Sequence, residues 1–251
     1  MHRAHDYPHL AARWQRLART ARLRIAAIAR ADGYPVLRIE TPALQAEGGI
    51  YLSAGIHGDE PGSTEGLIAW AERHGKGLRD LPLLMLPCLN PWGLVHNRRS
   101  DAAGNDLNRC WHGSRHPVVR GLRQHTAAMR FRVAACLHED YDAQGVYIYE
   151  PIRREPLWGP ELLRAARPHL SPDPRRIIDG RRPNRPGLIS RRVRPALFRS
   201  IGYPEAVWLH FERADRTFTL ETPSEAAIES RSAAQVAMLD ALLDLWHHRR
   251  R

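Results

Sequence analysis

The stretch Gly55-Ile56-His57-Gly58-Asp59-Glu60-Pro61-Gly62 constrains this chain more than any other. An apolar run, Ile50-Tyr51-Leu52-Ser53-Ala54, precedes it, and a helical pattern from Thr64 to Glu72 follows it. A short, continuous apolar run reads as a strand buried on both faces. Pro61 suits a first helical turn, where its missing N–H costs nothing. His57 and Glu60 therefore fall where a buried strand gives way to a helix. Across such a turn an imidazole and a carboxylate three residues apart can aim at one point. They are two of the three protein ligands of a two-His, one-Glu zinc site. His-x-x-Glu arises by chance in many chains, so its weight depends on what the remaining strands present beside it.

Periodicity supplies those strands. Residues 8–21 have helical spacing at Leu10, Trp14, Leu17 and Ala21. Residues 23–30 and 35–40 read as strands joined by a hairpin turn at Ala31-Asp32-Gly33-Tyr34. A buried strand over 50–56, a helix over 61–74 and a second buried strand over 81–89 follow, the last running into a turn at Asn90-Pro91-Trp92-Gly93. The polar loop over 96–109 has the length of a functional loop. Beyond it come a helix over 117–130, a third buried strand over 133–137 ending on His138, a short strand over 146–149 and a helix over 158–169. Residues 171–200, rich in Arg and Pro, read as an excursion over the surface. Strands over 206–211 and 217–221 precede a helix from Ser224 to about Trp246, with the basic residues His247 to Arg251 at its end, as the helix dipole favours. The alternation predicts a single α/β domain over residues 1–251, with a central mixed, largely parallel β-sheet flanked by helices. Functional residues of such sheets gather at the carboxyl ends of the strands. His57, Asn90, His138 and Glu221 all fall at expected strand ends, and His138 completes the candidate metal set.

Composition narrows the function classes. The formal charge of +11 is carried almost wholly by arginine, since Lys76 is the single lysine. The arginines are scattered, without a recognition motif or interleaved aromatics, which argues against nucleic acid as a partner. No apolar run approaches the roughly 18 residues that span a bilayer, so no membrane association is expected. The polar N-terminus lacks a signal-peptide core and points to the cytoplasm. Three cysteines are too few for a disulfide framework. The oligomeric state is left open.

Five pieces in order carry a family resemblance: His57-x-x-Glu60, Asn90-Pro91-x-Gly93, Arg99 with Asn108-Arg109, His138, and Thr219-Leu220-Glu221-Thr222-Pro223. In this order and spacing they resemble the zinc carboxypeptidase superfamily, which includes the succinylglutamate desuccinylase and aspartoacylase group. The resemblance implies a zinc-carboxypeptidase-like fold and one Zn²⁺ per chain held by His57, Glu60 and His138. It implies Glu221 as general base and Arg99 as the donor to the developing oxyanion, with Arg98 adjacent as an alternative. Asn108 and Arg109 would bind a substrate carboxylate, and Asp106 would hold the far nitrogen of a zinc histidine, His57. Carboxypeptidases also carry a mobile tyrosine that closes over substrate. Tyr203 is the nearest candidate for that substrate-binding role, and a turn residue packed on the core is its alternative.

The gap between Arg99 and Asn108, the Leu-Glu-Thr-Pro ending and the run from Leu137 to Glu150 look like the peptidase branch. They imply a metallocarboxypeptidase that removes a C-terminal amino acid or cleaves an amide beside a free carboxylate. An N-acyl amino acid deacylase of the desuccinylase and aspartoacylase kind is the alternative. Asp215 and the arginines of residues 175–199 are candidates for shaping the side-chain pocket. Tyr147 and Tyr149, two apart on a strand, would line the pocket together or not at all.

Overall fold

The computed structural model describes residues 3–113, 115–198 and 200–248. Met1, His2 and the terminal residues Arg249 to Arg251 of the expected basic helix end lie outside them. Helix α1 (Tyr7–Ala21) opens the fold; the Asp6 carboxylate caps it by accepting the His9 N–H at 2.8 Å. Strands β1 (Arg24–Ala31) and β2 (Tyr34–Glu40) form a hairpin through Asp32 and Gly33, both at positive φ. Next come β3 (Glu47–Ser53), α2 (Pro61–His74), β4 (Leu83–Leu86), α3 (Pro91–His96) and α4 (Pro117–His125). The remainder comprises β5 (Arg130–Asp140), β6 (Tyr147–Tyr149), α5 (Gly159–Ala166), β7 (Leu188–Ile189), α6 (Glu205–Trp208), β8 (Ala214–Pro223) and α7 (Ile228–His248).

The strands make one sheet in the order β1-β2-β4-β3-β5-β8-β6-β7. Pairs β3/β4, β3/β5, β5/β8 and β6/β7 are parallel; β1/β2, β2/β4 and β6/β8 are antiparallel. The sheet is mixed and largely parallel, as the alternation of elements predicts. Successive strand residues point to opposite faces, and the core divides accordingly. Leu52, Val133, Ala135 and Leu137 pack with Trp14, Trp70, Leu162, Met238 and Trp246 under α1, α2, α5 and α7. Tyr51, Ala134 and Cys136 pack with Val118, Leu122, Trp111 and Trp208 under α4 and α6. Both faces are covered, which is why β3, β4 and β5 read as unbroken apolar runs.

Five stretches differ from the sequence reading. Residues 206–211 are not a strand: α6 runs into a π-type turn over Leu209–Arg213 that feeds β8. Ala206, Val207, Trp208, Leu209 and His210 are all buried, and Trp208 stacks on Trp111 at 4.8 Å. An apolar run that is buried all round has no period to tell helix from strand at this length. Asn90 to Gly93 is the start of α3, with the Asn90 side chain accepting the Gly93 N–H at 2.9 Å and Pro91 in the first turn. Helix α4 stops at His125, so β5 begins earlier than expected and carries His138 two residues inside its end. Helix α7 starts at Ile228, not Ser224. Residues 171–200, read as a surface excursion, bury Asp173, Ile178, Leu188, Ile189 and Ser190 and contribute β7 to the sheet edge.

The turn after β3 is locked to the start of α3. The Gly58 N–H donates to the Arg98 carbonyl at 3.0 Å, and a Cβ built on Gly58 would lie 1.9 Å from the Gly93 carbonyl carbon. Gly58→Ala must push two backbones apart and is expected to cost about 3 kcal/mol, roughly 6–12 °C in melting temperature. Gly77→Ala, where a Cβ meets nothing within 4 Å, is the control and should melt within about 2 °C of the parent. Equal melting temperatures for the two variants would show that this contact is slack.

Candidate metal centre and active site

Glu60 stands at the N-cap of α2, yet its side chain makes no capping bond. The orphan donor there is met from another strand: the Gly62 N–H donates to Glu139 Oε2 at 2.7 Å, and Arg231 holds the other oxygen of Glu139 at 2.8 Å. A Cβ at Gly62 would sit 2.3 Å from Glu139 Oε1, so glycine is what admits that carboxylate. With its capping duty taken by Glu139, Glu60 turns toward His57 and His138. Glu60 Oε1 is 2.5 Å from His57 Nδ1, and Oε2 is 2.9 Å from His138 Nδ1. The two rings lie 5.1 Å apart, and one ligand atom from each residue falls within 4.8 Å of the others. All three residues are buried.

Asp106 fixes the tautomer of His57. Its Oδ1 is 3.1 Å from His57 Nε2 and also accepts the Asn108 N–H at 2.8 Å, while Oδ2 accepts from Arg99 at 3.2 and 3.3 Å. Burial would raise the Asp106 carboxyl, but His57 and the arginines Arg99 and Arg109 hold it well below the usual carboxylate range. An ionised carboxylate only accepts, so Nε2 of His57 carries a proton toward Asp106, and Nδ1 is the nitrogen turned to Glu60 that a metal would take in its deprotonated form. The contact between His138 Nδ1 and Glu60 Oε2 has ion-pair distance, yet no hydrogen bond satisfies that buried oxygen. One buried carboxylate thus meets a ring nitrogen of each histidine, at 2.5 and 2.9 Å, a convergence of donor atoms that suits a shared cation. Burial opposes charge on His57, but Glu60 and Asp106 push it up to about 9. Glu60 is raised by burial and driven well below its ordinary range by the two imidazoles. The donor set, two nitrogens and a carboxylate, suits Zn²⁺ with a position left open.

Glu221 is the registered partner of His138 on the adjacent parallel strand. Burial, with Glu60, Asp140 and Asp179 nearby, pushes its carboxyl up to about 8 against the pull of His138. Together with His57, Glu60 and His138, Glu221 lines a cavity of about 820 Å³, within the range of small-molecule sites. Arg99, Asn108 and Arg109 line the same cavity. Arg98 does not; its carbonyl serves Gly58. Asn108 Oδ1 accepts the Glu205 N–H at 2.9 Å, so the first turn of α6 orients that side chain.

A model of the succinylglutamate desuccinylase/aspartoacylase catalytic domain family matches residues 47–143, the segment that carries His57, Glu60, Arg99, Asn108, Arg109 and His138. Solved structures match nearly the whole chain. The chain has a carboxypeptidase-like fold. A candidate metallopeptidase of Shewanella amazonensis superposes with a TM-score of 0.84 at 19% identity, over 96% of this chain and 94% of its own. A metallo-carboxypeptidase of Burkholderia cenocepacia gives 0.68 at 19% identity, over 95% of this chain and 68% of its own. The murein-tripeptide amidase of Escherichia coli O157 gives 0.56 at 20% identity, over 87% and 91%. No curated protein sequence matches the chain.

Two residues named from the sequence, Tyr203 for substrate closure and Asp215 for the side-chain pocket, do not line the cavity. Tyr203 is buried in the second core cluster, stacked on His112 at 4.6 Å and packed against Phe198 and Phe211. Asp215 lies at the opposite end of β8 from Glu221 and pairs with Arg130 at 3.0 Å and Arg154 at 3.4 Å. Tyr147 and Tyr149 both line the cavity, as their spacing requires. Residues the sequence did not single out also contribute. Asp140 accepts from Tyr147 at 3.1 Å and Asp179 from Tyr149 at 2.6 Å. Glu205, fully buried, receives hydrogen bonds from Tyr51 and, at 3.0 Å, from Ser53. No motif flags these, because each acts through a contact between segments far apart in sequence.

Asp106→Asn should leave the fold intact and lower Zn²⁺ affinity about 10- to 100-fold, the usual cost of losing a carboxylate behind a metal-binding imidazole. Competition against a chromophoric chelator measures it. Unchanged affinity would remove Asp106 from the site.

Proposed function

We propose that this chain is a zinc-dependent hydrolase of the metallocarboxypeptidase type, with residues 1–251 acting as one catalytic domain. It takes a peptide or acyl-amino-acid substrate with a free carboxylate and cleaves off a C-terminal residue or an amide beside that carboxylate. The observation that carries the reading is the buried His57–Glu60–His138 cluster with Glu221 registered beside it and arginines across the same cavity. The three free cysteines are in keeping with a cytoplasmic setting.

When bound, one Zn²⁺ supplies Lewis acidity to a carbonyl and makes water acidic enough to ionise near neutral pH. Glu221 takes the proton of the attacking water as its oxygen adds to the carbonyl carbon. It then passes that proton to the nitrogen as the C–N bond breaks. Arg99 donates to the oxygen that gains charge. Asn108 and Arg109 hold the free carboxylate, Arg109 through paired N–H groups. Asp106 keeps the His57 proton on Nε2 so that Nδ1 stays available.

The second reading, an N-acyl amino acid deacylase, is favoured by the family match over residues 47–143. A panel of peptides and N-acyl amino acids on one preparation separates the two readings. A chelator should abolish the activity and Zn²⁺ restore it. Glu221→Gln should keep one equivalent of zinc and lose at least about 100-fold in turnover, while His57→Ala should lose both. Wild-type turnover in Glu221→Gln would overturn the assignment of the base.

A further inference from the structure

Though no motif gathers them in the sequence, the arginines are not evenly placed on the fold. Residues 171–200 hold nine arginines against two aspartates, and so carry seven of the eleven net positive charges of the chain. Both aspartates are engaged: Asp173 is buried against Arg175 at 2.8 Å, and Asp179 accepts the Tyr149 hydroxyl at 2.6 Å. Arg176, Arg181, Arg182, Arg185, Arg192 and Arg194 are exposed, and none of their guanidinium groups makes a hydrogen bond or ion pair among the described residues.

The apolar surface is uneven in the same place. Four large apolar side chains stand exposed among the described residues: Tyr141 at 74%, Ile177 at 60%, Ile201 at 53% and Leu197 at 48%. Tyr141 and Ile201 line the cavity that holds the metal cluster. Leu197 directly precedes Phe198, and Ile177 comes two residues before Asp179, both of which line it too. Single exposed apolar residues are ordinary, but a group of them at one mouth, ringed by charge, marks a contact surface. The local backbone holds two of them outward. Ile178 is buried beneath the turn in which it exchanges backbone bonds with Arg181 at 2.9 and 2.8 Å, and its neighbour Ile177 is left facing solvent. Leu197 stands on a short turn, Pro195–Phe198, anchored where Phe198 packs on Tyr203.

Cations interspersed with aliphatic side chains suit one kind of partner. Anionic head groups attract arginine, whose stem can lie along the acyl boundary that aliphatic side chains enter. A second copy of this chain would set six unpaired arginines against six. Single-stranded nucleic acid is gripped through stacked aromatic rings, whereas three of the four exposed apolar residues are aliphatic. No helix of the described residues is long and apolar enough to cross a membrane. The lack of a spanning run, which argues in the sequence against membrane association, bears on crossing and not on a peripheral contact.

We infer that the exposed side chains of residues 176–201, with Tyr141, form a face that lies on an anionic lipid surface and turns the mouth of the cavity toward the head groups. The inference stands apart from the hydrolase reading and adds where the cavity opens.

The full chain is sedimented with vesicles of phosphatidylcholine alone and with vesicles in which about one-third of the lipid is phosphatidylglycerol. The anionic vesicles should bind it at least about tenfold more tightly, and added salt should shrink the difference by screening exposed charges. Each guanidinium near such a surface is worth about fivefold in binding, so Arg182→Gln/Arg192→Gln/Arg194→Gln should lose at least about tenfold. Arg16→Gln/Arg19→Gln/Arg79→Gln removes the same charge from elsewhere on the surface and should stay within about twofold of the parent. Ile177→Ser/Leu197→Ser/Ile201→Ser, with charge unchanged, should also lose about tenfold. All three variants alter exposed side chains and should melt within about 2 °C of the parent. Equal binding to the two vesicle types would overturn the inference, as would a control variant that loses as much as the arginine variant. An apolar variant that binds like the parent, while a labelled oligonucleotide competes with the vesicles, would assign the arginines to nucleic acid instead. A dimer in sedimentation velocity that the apolar variant dissolves would assign the face to a second copy. The assay reads partitioning and not turnover, so its failure leaves the hydrolase reading intact, and an inactive protein still decides it.

Discussion

The site depends on a helix end capped from outside. Helix α2 would ordinarily satisfy its first N–H groups with the side chain at its N-cap, and that residue is Glu60. Here Glu139 reaches in from β5 and takes the bond to Gly62, with Arg231 neutralising it. The substitution has two effects. It releases Glu60 to face the imidazoles, and it ties α2 to β5, so that Glu60 and His138 keep their spacing. Because neighbouring strand residues point in opposite directions, Glu139 can hold the N-terminus of α2 while His138, one residue before it, turns to Glu60.

The electrostatics of the centre follow from that tie. A buried carboxylate between two imidazoles is costly without a cation, and the same proximity that raises His57 lowers Glu60. Asp106 extends the balance outward, joining His57 to Arg99 and to the backbone of Asn108 through its two oxygens. The His57–Glu60–His138 cluster and Arg99 therefore share one carboxylate, and displacement of either is felt by the other.

Much of this was legible in the sequence, for a physical reason. Buried parallel strands announce themselves as continuous apolar runs, and α/β sheets gather function at strand ends. His57, His138 and Glu221 could therefore be located from hydrophobicity and punctuation before any contact was known. Where packing overrides pattern, the reading failed. Residues 206–211 are apolar on every side because they are wedged between the sheet and α4, so no period marks them as helix. Tyr203 was nominated by chain position alone, and the aromatic cluster of His112, Phe198 and Phe211 buries it. Residues 171–200 have no periodicity because turns and a two-residue edge strand need none, yet they build a wall of the cavity.

That wall is separable from the His57–Glu60–His138 cluster. The candidate ligands come from the turn after β3, the N-cap of α2 and β5, whereas Arg181 and Arg191 come from an irregular segment joined to the sheet only at its outermost strand. Substitutions in such a segment leave the elements that carry His57, Glu60, His138 and Glu221 in place. The architecture is thus modular: the His57–Glu60–His138 cluster and the outer wall of the cavity are carried by separate stretches of chain, so one can be altered while the other stays in place.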